Sequence, residues 1–124
     1  MRSFKVALVI ASCVLLLGVC AVAGQNSMGV SDRYQVTFSE TVRVADTLLP
    51  SGDYEIRHVM EGPNHIMLFR QLGVNNPVQA RAKCTLVALS GKAPESQKVY
   101  ALNSANERIL KELTFKGDRA SHVF

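Results

Sequence analysis

Beyond its first few dozen residues the chain reads as all-β, a small antiparallel sandwich or barrel of about seven or eight short strands. Three observations predict this. Apolar and polar side chains alternate with a period of two through most of the chain, the pattern of strands buried on one face only. Turn signals built from Gly, Pro and Asn interrupt those runs at short intervals. Of the three cysteines, only Cys84 lies beyond residue 23, so no internal disulfide can staple the domain and packed strand faces must hold it.

Residues 1–23 read as a cleaved export signal. Arg2 and Lys5 form a short positive start, Val6 to Val22 is uncharged and mostly aliphatic, and Ala21-Val22-Ala23 has the small-x-small pattern of a cleavage site. The apolar stretch of about 17 residues is at the lower limit for a membrane span. Cys13 and Cys20 sit in poor contexts for lipidation, Cys13 because cutting there would strand Val14 to Val19 at a new terminus. Residues 24–32 form a polar lead-in and residues 33–124 a single β-domain. The expected destination is the periplasm or the medium, with no stable membrane insertion after cleavage. Two of the 14 Lys and Arg leave with the signal, so the mature balance is 12 against 10 acids. No basic run or aromatic-interleaved basic patch is present, which argues against nucleic acid as a partner.

Taken in order, Tyr34, Val36 and Phe38 alternate with Gln35 and Thr37, and Val42 and Val44 flank Arg43. Pro50 and Gly52 suit a type I turn across Leu49-Pro50-Ser51-Gly52. The clearest strand puts Val78, Ala80, Ala82, Cys84 and Leu86 on one face, with Gln79, Arg81, Lys83 and Thr85 on the other. Segment 104–113 is ambiguous. Ser104-Ala105-Asn106-Glu107 has capping-box spacing and Glu107–Lys111 is an i,i+4 pair, but Leu113-Thr114-Phe115 reads as strand. A strand from Arg108 to Phe115 is the reading adopted.

The order of these elements resembles small exported β-proteins of acidobacterial type. The shared features are the Val42/Val44 strand, the LPxGxY hairpin at Leu49 to Tyr54, the LxxLxF segment (Leu110, Leu113, Phe115) followed by Gly117, and a last strand ending in Val123-Phe124. The resemblance implies an exported bacterial β-domain and brings no activity or functional residue with it.

The sharpest chemical pattern is a doubled His-x-Met, His58-Val59-Met60 and His65-Ile66-Met67. A hairpin loop over Glu61 to Asn64 would place Met60 opposite His65 and His58 opposite Met67, all on one face, with Glu55 opposite Arg70 on the other. Imidazole and thioether donors suit copper. The same face carries Tyr54, Ile56 and Phe69, so the methionines equally suit a core. Cys84, between Ala82 and Leu86, reads as a buried inert thiol, and His122 has no partner visible in sequence. No nucleophile elbow, P-loop, dinucleotide fingerprint, HExxH or CxxC occurs. The expectation is therefore a non-catalytic binding or interaction module without a cofactor, its partner a protein, a peptide or a small apolar ligand. The alternatives are a copper protein using His58, Met60, His65 and Met67, and a small hydrolase assembled from distant strands.

Overall fold

The alternating runs become strands that curl around one interior. The computed structural model describes residues 29–124; the expected export signal at residues 1–23 lies outside them. The described residues form nine strands and no helix: β1 (Arg33–Phe38), β2 (Val42–Val44), β3 (Thr47–Leu49), β4 (Gly52–Glu61), β5 (Asn64–Gln71), β6 (Gln79–Ala88), β7 (Gln97–Leu102), β8 (Arg108–Thr114) and β9 (Ala120–Val123). The all-β, mostly antiparallel expectation holds. The strand number is nine rather than seven or eight, with Thr47–Leu49 a short strand of its own. It turns back from β2 through Ala45, which adopts φ +51°. Asp46 is the turn-forming residue type there, without the Gly or Asn that usually accompanies a positive φ.

The strands run in the order β1-β4-β5-β6-β9-β8-β2-β3, with β7 also on β8. Neighbours are antiparallel except β2 and β8, which run parallel. Strand β6 joins the two halves. Its first part, Gln79 to Cys84, pairs with β5, and Thr85 to Ala88 pair with β9. Strands β2 and β3 come back against β6, so the open sheet is curled around its core.

The core is made of the predicted inward positions. Phe38, Val42, Val44, Leu49, Tyr54, Ile56 and Phe69 are all buried. Burial of this kind contributes about 1.5–3 kcal/mol for each large apolar side chain. The Tyr54 hydroxyl escapes the cost of an unpaired polar group by donating to the Pro50 carbonyl at 2.5 Å. The described end of the polar lead-in also packs, since Val30 is buried and Arg119 N–H donates to the Gly29 carbonyl.

The segment written as ambiguous is strand, with β8 starting at Arg108. The polar residues before it make a turn, in which Asn103 Oδ1 accepts from the N–H groups of Ala105 and Glu107. Glu107 then pairs with Arg43 of β2 at 2.9 Å, a long-range partner that displaces the helical pairing with Lys111.

Candidate functional site

Strands β4 and β5 meet in a tight hairpin. Glu61 pairs with Asn64 across Gly62-Pro63, and Gly62 takes φ +59°, a conformation glycine adopts without a Cβ clash. The register is the predicted one: Met60 faces His65, His58 faces Met67 and Glu55 faces Arg70. Glu55 forms its ion pair within its own strand, with Arg57 at 3.3 Å.

The four residues of the doubled His-x-Met then part company. His58 and His65 meet, His58 Nε2 lying 3.0 Å from His65 Nδ1 with the two rings stacked. Met67 is fully buried and serves the core, whereas Met60 is 53% exposed at the hairpin end. Burial thus separates the two methionines, Met67 in the core and Met60 at the surface. Two further residues from distant strands come to the same place. Cys84 pairs in register with His65 at the place where β6 leaves β5 for β9. On β9, His122 lies in register with Leu86 of β6 and Leu113 of β8, and its ring sits edge-on to that of His58.

The result is a buried group of His58, Cys84 and His122 whose ligand atoms lie within 4.8 Å of one another. Cys84 Sγ is 3.9 Å from His122 Nδ1, a weak contact even for sulfur. His122 Nε2 is 3.8 Å from Asp118 Oδ2, beyond hydrogen-bond distance, and has no hydrogen-bond partner among the described residues. A fully buried imidazole with both nitrogens so poorly used is costly, and buried polar groups seldom remain so unless something else engages them.

The surroundings fix the ring. The rings of Tyr34 and Phe115 stack with centroids 3.8 Å apart and both meet His122 edge-on. The Tyr34 hydroxyl donates to Asp118 Oδ2 at 2.5 Å, which anchors the carboxylate beside His122. Burial, and then the nearby imidazoles, push the His122 pKa down to about 4. Burial and His65 lower that of His58 as well. Both rings are therefore neutral at pH 7 and have lone pairs to give. Burial pushes the pKa of the Cys84 thiol up to about 11 and that of the Asp118 carboxyl above the usual carboxylate range.

Two chemistries use such residues. A Cys–His–Asp line resembles the apparatus of thiol hydrolases. That chemistry needs a depressed thiol pKa and an exposed nucleophile. Here the thiol is raised, Cys84 is 4% exposed and His122 is not exposed at all. The other chemistry is metal ligation. Two neutral imidazoles and a potential thiolate, brought from three strands to one buried point, match it in donor type, and side-chain adjustment within the 4.8 Å group would bring them onto one ion. Asp118 behind His122 stands where a carboxylate can orient a ligating ring.

Alternation in sequence had placed Cys84 inward, and that is where it lies. His122 was not legible, because Ala120, Ser121 and His122 are all buried and show no alternation. Comparison with protein families, curated proteins and solved structures returned no match.

Proposed function

We propose that the protein is an exported, non-catalytic metal-binding module of the bacterial envelope or extracellular space. Its ligands are His58, Cys84 and His122, and it takes a soft or borderline transition-metal ion. One observation carries the reading: the ligand atoms of these three buried residues, from three different strands, lie within 4.8 Å of one another. The donor set excludes Mg²⁺ and Ca²⁺, which require oxygen, and favours zinc or copper.

The role is read as non-catalytic because the three ligands are shut away from substrate: His58, Cys84 and His122 are buried, with the Tyr34 and His58 rings edge-on to His122. The ion must displace the Cys84 proton, so binding releases protons and weakens as the pH falls. Export rests on the signal-like residues 1–23, and the bacterial setting on the resemblance to small exported β-proteins.

Native mass spectrometry of the mature chain, titrated with Zn²⁺ or with Cu⁺ under reducing conditions, tests the assignment. The expected result is one ion per chain, lost in His122→Gln although circular dichroism still reports a β-fold. Failure of the wild-type chain to retain either ion, or retention by His122→Gln with unchanged affinity, would remove the site.

A further inference from the structure

The inner ligands are buried, so an ion needs a way in, and the hairpin end offers one. Met60 and His65 are register partners on neighbouring strands and share a face. Cross-strand neighbours of this kind have their Cβ atoms about 5 Å apart, within reach of a single ion. Met60 is 53% exposed, in contrast to Met67, which is wholly buried and filling the core. His65 is half-buried. Its Nδ1 lies 3.0 Å from Nε2 of His58, and His58 in turn belongs to the inner group. A thioether and two imidazoles thus stand in succession between solvent and the buried group.

We propose that Met60 and His65 form an outer capture pair that takes up Cu(I) and passes it through His58 to the inner His58–Cys84–His122 site. The proposal rests on the metal-binding reading of that inner site and narrows it to one ion. Thioether sulfur selects Cu(I) over zinc and over hard cations. An exposed thioether at the mouth has no use for zinc, whereas the inner imidazole and thiol donors do not discriminate as sharply.

Transfer is ligand exchange without redox change. The ion remains Cu(I), and a bond to Met60 or His65 breaks as one to His58, His122 or the Cys84 sulfur forms. The Cys84 thiol gives up its proton to solvent as the copper–sulfur bond is made. For His65 this requires only a small rotation away from its hydrogen bond to His58, on a ring that is already partly exposed.

The test compares rate with affinity, using Cu(I) supplied as a complex with a chromophoric chelator under anaerobic conditions. The variants are Met60→Leu and Met60→Leu/His65→Gln. Met60→Leu keeps an apolar side chain at an exposed position, so its fold is not at risk. Equilibrium affinity is expected to stay within about threefold of wild type in both variants. Transfer from the chelator is expected to slow by about tenfold or more in the double variant. Zn²⁺ loading in Met60→Leu should proceed at the wild-type rate.

Wild-type Cu(I) loading rates in the double variant would overturn the route while leaving the inner site intact. A loss of affinity in step with the loss of rate would make Met60 and His65 equilibrium ligands and overturn their role as a capture pair. Failure of the wild-type chain to bind Cu(I) while still binding Zn²⁺ would reject the copper route alone. Failure to bind either ion would reject the inner site with it.

Discussion

Phe38, Leu49, Tyr54 and Phe69 form an apolar part of the interior, while His58 and His122 form a polar part at a similar depth that meets the apolar core through Cys84. The first part is made of apolar surface that gains by leaving water, and its one polar group, the Tyr54 hydroxyl, is satisfied by the Pro50 carbonyl. In the second, His58 keeps a 3.0 Å contact with His65, but Cys84 and His122 lose water and recover little: they are 3.9 Å apart, and His122 Nε2 has no partner among the described residues. Leu or Phe at these three positions would remove the buried polar groups and add apolar burial. The apolar part thus explains why the chain folds. The His–Cys part has no such account unless it holds something, and that contrast is the main support for a metal.

The contrast can be broken most forcefully from the apolar part. Phe69→Ala removes a fully buried ring that also meets Phe124 at 6.0 Å between centroids. It is expected to lower stability by about 3–5 kcal/mol in urea denaturation of the metal-free protein. A loss below about 1 kcal/mol would mean that the apolar part does not hold the fold.

Acid probes the other part. Burial lowers the His122 pKa from 6.5 to about 4 in the folded state. Between these values the unfolded chain binds more protons than the folded one, so its contribution is full above pH 6.5 and falls as the pH drops towards 4. The loss over that window is roughly 3 kcal/mol, with His58 acting in the same direction. Urea midpoints measured between pH 7 and pH 4 with a chelator present should fall, and the slope should flatten in His122→Gln. A flat wild-type profile would contradict a neutral, buried His122.

Much of the fold was legible because strand alternation is local. The run from Val78 to Leu86 put Cys84 on its inner face, and the Gly62-Pro63 turn set the register that brings His58 to Met67 and Met60 to His65. Asn106 at φ +62° sits in a turn its residue type advertised, whereas Ala45 at φ +51° gave no such sign, and the β2–β3 hairpin was missed with it. The candidate site was half legible for the same reason. His58 and His65 meet through one hairpin, but Cys84 and His122 meet through a pairing between β6 and β9 that spans 38 residues. No periodicity within either strand encodes that partner. The doubled His-x-Met thus pointed to the hairpin that carries His58, but not to Cys84 and His122 beside it.

The most direct measurement is X-ray absorption spectroscopy at the metal edge of the loaded mature protein, beside a Cys84→Ser control. The account predicts one thiolate sulfur with two imidazoles in the first coordination shell, and no sulfur in the control. A shell of two thioether sulfurs, unchanged by Cys84→Ser, would return the site to Met60 and Met67 and contradict the assignment of Cys84.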